Sequence, residues 1–272
     1  MGRLRRIIND IKLNKEIERW RKIETKKTKR ASEEKMVCGK DLSEQEKQEI
    51  KKYYSKYTKE RFSYFWHLKY KTISGKFCCD YFPEVFYNAD LKHRLNDKVY
   101  TEVYSNKYVL SRIVSGSNIG VLVPTNYVSC NEEILLNEQN LPISKNSAIS
   151  LLLEKEKLFI KKSIGTYGGD ECKLLTKPSE EEIENIINNY GKNYLIQNII
   201  ENQEDIKTLN PSTLNTFRVI TFFANGAFRT SPLILRIGRK DHFLDNAHAG
   251  GMFVAVSDEG VIVSDAKNVL GE

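Results

Sequence analysis

The sequence predicts an α+β fold with a helical extension at its N-terminus. Three observations carry that expectation. Apolar residues recur at three- and four-residue spacing in residues 3–22, 44–59 and 179–190, the period of one helix face, and residues 146–153 suggest a further short helix. The stretch KLFIKKSIGTYGGDECKLLTK, from Lys157 to Lys177, reads as strand, glycine loop, strand. Two β-branched and aromatic runs, residues 216–223 and 227–237, flank Asn225-Gly226, the strongest short-range hairpin signal.

In chain order, Leu4, Ile7, Ile8 and Ile11 with Arg3, Arg5, Arg6 and Lys12 around them make residues 3–22 a basic amphipathic helix. Such a helix packs its apolar stripe on the body or makes weak contact with an anionic membrane surface. Residues 24–40 show few apolar residues and no period, so a mobile linker is expected there. Ser43 and Glu46 form a capping-box pattern ahead of Ile50, Tyr53, Tyr54 and Tyr57, which places a helix at about 44–59. The aromatic group Phe62, Tyr64, Phe65, Trp66 and Tyr70 is expected in a core, because regular basic interleaving is missing. Residues 95–114 read as one helix carrying Lys107, followed by a strand-like run interrupted by Pro124.

Ser179 and Glu182 form a second capping box, Ile183, Ile186, Ile187 and Tyr190 share one apolar face, and Gly191 stands where that helix stops. A strand from Tyr194 to Ile200 follows, then the long hairpin, then a shorter one around Asp258-Glu259-Gly260. A two-residue turn at Asn225-Gly226 sets Asn215 opposite Arg236 and sends Arg218 to the other face, unless the strand begins late or bulges.

Composition bounds function. The 272 residues, 40% hydrophobic, suffice for one large domain or two lobes. Residues 1–60 hold 19 Lys+Arg against 11 Asp+Glu, and the rest hold 24 against 25. The basic excess is therefore an arm on a near-neutral body, which argues against a specific nucleic-acid binder. Cys38, Cys78, Cys79, Cys130 and Cys172 lack metal-type spacing and suit free thiols in a reducing cytoplasm. No apolar run approaches a membrane span. His67, His93, His242 and His248 have no evident nucleophile partner.

What remains is phosphate handling. Gly165, Gly168 and Gly169 allow backbone N–H groups close approach to an anion, and a lysine on the incoming strand supplies a cation. Asn215, Arg218, Arg236, Arg239, Asp245, Asn246, His248, Gly250 and Gly251 gather donors, acceptors and close-approach backbone within about one strand length.

The run from Ser212 to Gly251, with its SxxNTxRV strand followed by LRxGRxxxxxDNxHAGG, resembles the sugar-transfer-associated branch of the ATP-grasp superfamily. The resemblance implies an ATP-grasp-type fold, two α+β lobes clasping ATP. Residues 1–60 would be the basic arm and linker, 61–145 an N-terminal helical or α+β region, 146–200 the clasping lobe and 201–272 the start of the C-terminal lobe. It implies ATP and Mg²⁺ as cofactors, phosphorylation of a carboxylate, and attack of an amine or related nucleophile on the acyl phosphate. Lys161 then corresponds to the lysine of a hydrophobic-Lys-Pro step whose proline is replaced here by Lys162, and which of the two points inward stays open. Lys107, in Ser105-Asn106-Lys107, stands near the place of an Asp-Lys-Asn-like step. The strand ending in Gln197, Asn198 and Ile200 corresponds to the hinge that reads adenine through its backbone, with Glu201 or Glu204 near the ribose. Arg218, Arg236 and Arg239 would clamp the transferring phosphoryl group, and Asn215 and Asn246 would position ATP or metal.

The metal-binding Asp…Glu-x-Asn pattern of the superfamily is not found after Gly251, so either a truncated form or a loss of full metal chemistry is expected, and the metal ligands stay unassigned. The resemblance also implies cytoplasmic partners in cell-surface polysaccharide biosynthesis. Two alternatives are a nucleotide-binding or scaffolding pseudoenzyme in a polysaccharide-assembly complex, and a peripheral membrane or nucleic-acid binder led by its basic helix.

Overall fold

The computed structural model describes residues 2–33, 41–59, 61–117, 119–166, 168–247 and 250–268. They fall into two compact units, Met1–Thr101 and Glu102–Glu272.

The first unit is helical. α1 (Gly2–Glu33) is longer than the sequence pattern suggests: residues 24–33, expected as linker, continue the helix. The reason is tertiary. Glu24 and Thr28 are buried, Glu24 accepts a hydrogen bond from Asn88, and Arg21 pairs with Asp90 at 2.9 Å, so a polar stripe that looks solvated in sequence is held by partners more than 60 residues away. The remainder of the expected linker, 34–40 with Cys38, lies outside the described residues.

α2 (Glu44–Tyr54) starts at the Ser43/Glu46 capping box and ends earlier than expected, in turns at 55–57. α3 (Phe65–Ser74) follows, then the short α4 (Glu84–Phe86), a π-helical turn over Tyr87–Leu91, and α5 (Lys92–Leu95). Leu42, Ile50 and Tyr54 form the core here, with Phe62, Tyr64, Leu68 and Phe86 against it; of the expected aromatic group, Phe62 and Tyr64 join this cluster, Phe65 is buried, and Trp66 and Tyr70 are half-buried outside it.

The single helix expected over 95–114 is two. α6 (Lys98–Ser105) stops and α7 (Lys107–Ser115) restarts, because Asn106 leaves helical geometry and its side chain accepts from the N–H groups of Tyr108 and Val109. An asparagine N-cap fixes a helix start in this way.

The second unit carries a five-stranded antiparallel sheet, ordered β2 (Ile134–Leu136), β1 (Asn126–Asn131), β5 (Tyr194–Gln197), β3 (Lys157–Lys162), β4 (Lys173–Thr176). β5 is central and buried along its whole length, and it is shorter than expected because the chain leaves the sheet after Gln197. α8 (Lys145–Leu153) and α9 (Glu180–Asn189) cover one face. Ala148, Ile149, Leu152, Ile183, Ile186 and Ile187 pack there on Val128, Leu158, Ile160 and Ile196. Each buried Val, Leu or Ile side chain contributes about 1.5–3 kcal/mol by burial.

A short helix, α10 (Glu204–Lys207), leads to the second sheet, ordered β10 (Met252–Val256), β9 (Leu233–Ile237), β6 (Thr216–Arg218). β7 (Thr221–Ala224) and β8 (Ala227–Thr230) form a separate hairpin around the two-residue turn at Asn225-Gly226, both residues with positive φ. The long hairpin of the sequence is thus two paired segments. At the break Ser231 donates its N–H to the Ile220 carbonyl and accepts the Ile220 N–H on its hydroxyl, while Pro232 has no N–H to offer. One extra residue sits on the β8–β9 side, and the register slips by one.

The slip corrects the expected pairing. Thr216, not Asn215, lies opposite Arg236, and Arg218 lies opposite Ile234. Arg218 and Arg236 therefore share a face, whereas Asn215 turns inward on the other.

Candidate functional site

On β3 the side chains alternate. Leu158 and Ile160 enter the helix-covered core, so Phe159 and Lys161 project from the opposite face of the sheet. Lys162 reaches back from the strand end. Its ammonium donates to the carbonyls of Tyr190 and Lys192 and lies 4.7 Å from the centroid of the Tyr190 ring. Strand parity thus makes Lys161 the inward lysine.

Lys161 faces a cleft of about 440 Å³ within the second unit. Phe159, Gln197, Asn198, Ile200, Thr216 and Asp245 are among its walls, with Phe243 meeting Phe159 edge-on, ring centroids 6.3 Å apart. A volume of this size, apolar in its walls with a few polar groups, suits a small-molecule ligand.

The electrostatics of Lys161 are unusual. Burial pushes its pKa below the ordinary lysine value, the charge of Lys107 pushes it further the same way, and only Cys172 pulls against them. Burial also lowers Lys107, whose ammonium donates to the carbonyl of Thr166 at 3.2 Å and whose backbone N–H donates to Ser163. Burial raises the Cys172 thiol. Among the described residues no carboxylate pairs with Lys161. Two cations brought together in a part-desolvated place, without an anion of their own, favour an incoming anion.

The glycine loop after β3 folds onto the 244–246 segment. Asn246 donates its side-chain amide to the Gly168 carbonyl at 2.6 Å. A Cβ on Gly168 would stand 2.6 Å from that amide nitrogen, and one on Gly169 would stand 2.7 Å from a Leu244 methyl, with φ positive at both. Glycine is required there for closeness as well as conformation. Gly165 also has positive φ but open space around it. Tyr167 lies outside the described residues.

The hinge segment is partly committed. Gln197 is buried and donates its side-chain amide to Asn126, and Asn198 exchanges hydrogen bonds with Thr125 through its own N–H and its side-chain oxygen. The Asn198 carbonyl and the Ile200 N–H have no hydrogen bond within the described residues. Glu201 stands in the cleft wall, paired with Lys157 at 3.4 Å, whereas Glu204 is exposed in the first turn of α10, paired with Lys207.

The second sheet supplies a charged network. Thr216 donates its hydroxyl to Asp245 and accepts from Nε and Nη2 of Arg236, at 3.0 and 2.7 Å, while Nη2 also reaches Asp245 at 3.0 Å. Arg218 is exposed on the same face. Arg239 is exposed as well, its stem lying against Gly250.

Asn215 does other work. Its amide donates to the carbonyls of the half-buried Ile206 and the buried Asn210, and its oxygen accepts from the buried Gly238, so it braces the loop before β6 against the end of β9. Gly251 is buried where a Cβ would stand 2.7 Å from the Asp245 carbonyl, so it allows close approach of its backbone to the 245–246 segment. His248 lies outside the described residues. No group of three or more His, Cys, Asp or Glu among the described residues is placed to hold a metal ion.

Sequence reasoning passed over Thr216 as a functional residue and Phe159 and Phe243 as cleft walls. Thr216 was hidden by the register slip. Phe159 was legible, two residues before Lys161 on the same strand face.

On this α+β scaffold the cleft of about 440 Å³ and the part-buried Lys161 could take a small anionic molecule. The family model for sugar-transfer associated ATP-grasp proteins matches residues 86–271, and the chain belongs to that family. The chain matches no curated protein and no solved structure. No helix among the described residues is long and apolar enough to cross a membrane.

Proposed function

We propose that this protein binds ATP in the Lys161 cleft and uses it to activate a carboxylate for attack by an amine or related nucleophile, within cell-surface polysaccharide biosynthesis. The observation that carries the reading is the desolvated Lys161 ammonium, facing a cleft of about 440 Å³ with Lys107 beside it and no carboxylate partner among the described residues. Family membership supports the use of ATP.

The residues fit the nucleotide. Phe159, Leu174, Leu214 and Phe243 offer apolar walls to a base, the Asn198 carbonyl and Ile200 N–H offer one acceptor and one donor to its edge, and Glu201 is in place for ribose hydroxyls. Lys161 and Lys107 hold phosphate charge, and the glycine loop held by Asn246 excludes water from it. Bound ATP supplies the phosphoryl group. Arg236, fixed by Thr216 and Asp245, and Arg218 on the same face present guanidinium donors to a carboxylate or to the transferring phosphoryl group. Mg²⁺ binds such nucleotides largely through phosphate oxygens and water, and we assign it no protein ligand.

Isothermal titration of ATP, with and without Mg²⁺, tests the reading on the full chain and on Lys161→Ala. Saturable binding that disappears in the variant is the expected result. Absence of binding by the unaltered chain under both conditions overturns the proposal. ATP binding without phosphoryl transfer to any carboxylate would make the protein a nucleotide-binding scaffold instead.

A further inference from the structure

The β7–β8 hairpin takes no part in the cleft, and its chemistry is unlike that of a solvated turn. Phe228 is 84% exposed, Phe223 58% and Phe222 43%, and Val219 and Ile220 at its base are exposed too. Phe223 and Phe228 are cross-strand partners with rings 5.0 Å apart, and Phe222 lies opposite Arg229, so aromatic surface stands on both faces of one short ribbon. Isolated exposed apolar residues are ordinary, but a contiguous group at the tip of a projection marks a contact surface.

Charge identifies the partner. From Ile206 to Lys240 the sequence has no aspartate or glutamate, although the chain contains 36 of them, and Arg218 and Arg229 flank the phenylalanines. A surface of exposed aromatics bordered by arginines and free of carboxylates complements an anionic lipid surface: rings settle at the headgroup boundary while arginine stems extend to phosphate. Geometry limits the depth. A two-stranded ribbon leaves both backbone edges unpaired, which hydrocarbon does not tolerate, so the hairpin is suited to headgroup depth and not to spanning. Four residues per strand extend about 14 Å, more than the ~5–10 Å of interfacial burial.

We infer that the β7–β8 hairpin is a membrane-docking tip that inserts Phe222, Phe223 and Phe228 into the headgroup layer of anionic bilayers, with Arg229 on lipid phosphate. The inference does not depend on ATP binding. It differs also from membrane contact through the basic N-terminal helix, and on this inference vesicle binding persists when that helix is removed. A single weak anchor gives reversible binding.

Vesicle co-sedimentation of the full chain tests it, using phosphatidylglycerol–phosphatidylcholine vesicles against pure phosphatidylcholine. The chain sediments with the anionic vesicles only, and Phe223→Ser with Phe228→Ser reduces the bound fraction at least tenfold. Arg229→Gln reduces it about fivefold at low salt, the share of one arginine at a charged surface. A Phe228→Trp variant places the tip directly: its emission, less that of the unaltered chain, shifts to the blue with anionic vesicles and stays unshifted with neutral ones. Failure of the unaltered chain to sediment, equal sedimentation of the double serine variant, or no blue shift from Phe228→Trp on anionic vesicles overturns the inference. Self-association abolished by the same serines, without vesicle binding, would make the hairpin a protein interface and equally overturn it.

Discussion

The adjacent lysines of β3 provide a test in which stability and binding move in opposite directions. Lys161→Met replaces a part-buried ammonium, which has no carboxylate partner among the described residues and stands 6.0 Å from the Phe159 ring centroid, with an apolar chain of similar length. Burial and the Lys107 charge both disfavour that ammonium in the folded state, so its removal stabilises the fold. A gain of about 0.5–2 kcal/mol is the usual size when strain at a functional site is relieved. Near 2–4 °C of melting temperature per kcal/mol is expected for a chain of this size. The same change removes the cation for the phosphates, a loss of about 2–5 kcal/mol in binding, or at least thirtyfold in Kd.

Lys162→Met does the reverse. It deletes donors to the Tyr190 and Lys192 carbonyls and the contact on the Tyr190 ring, costing about 1–2 kcal/mol of stability, and leaves ATP affinity within threefold. Thermal denaturation and calorimetric titration of ATP read both quantities on the same samples. If Lys161→Met binds ATP within threefold of the unaltered chain, or if Lys162→Met carries the binding loss, the assignment of the inward lysine by strand parity is wrong.

Other outcomes follow from the same geometry. Because the folded-state pKa of Lys161 is depressed, its charged form is lost at lower pH than for a free lysine, so ATP affinity falls as pH rises through that depressed value. In the same chain without nucleotide, the penalty of the buried charge is full below the folded pKa and fades as pH climbs toward the unfolded one. Stability from this group therefore rises with pH where binding declines, and titrations paired with melts at several alkaline pH values check both signs. Gly169→Ala sets a Cβ 2.7 Å from a Leu244 methyl at a φ of +86°, and the loop lifts from its seat at a cost of about 1–2 kcal/mol. ATP affinity then drops about 5–30-fold, and hydrogen exchange in 163–172 becomes faster. Asn215→Ala orphans the Asn210 carbonyl and the Gly238 N–H, while the Ile206 carbonyl keeps the Leu209 N–H, and lowers stability by about 2–4 kcal/mol in denaturant melts, with the cleft lysines unchanged.

Much of this fold is local and was legible from the residues. Ser43/Glu46 and Ser179/Glu182 start their helices where a hydroxyl and a carboxylate three residues apart satisfy free N–H groups, and both boxes are present. Asn225-Gly226 makes its turn because both residues accept positive φ, a property of the pair alone. The order of strand, glycine loop, strand, helix and strand was written in period and glycine placement, and the family followed from the run that ends at Gly251.

Tertiary structure decided what depends on distant partners. Arg21 and Glu24 of α1 meet Asp90 and Asn88, more than 60 residues away, contacts that no local period announces. Antiparallel pairing of β1 with β5 joins residues 126–131 to the sheet that carries Lys161, across some 65 positions of sequence. The slip at Ser231-Pro232 moved Thr216 opposite Arg236 and turned Asn215 into a brace, since one extra residue reverses every side chain beyond it. Residue types alone determined that this chain has cations, glycines and aromatic side chains in quantity. The register of its strands, a property of the whole fold, decided which of them face a common cleft and which face solvent.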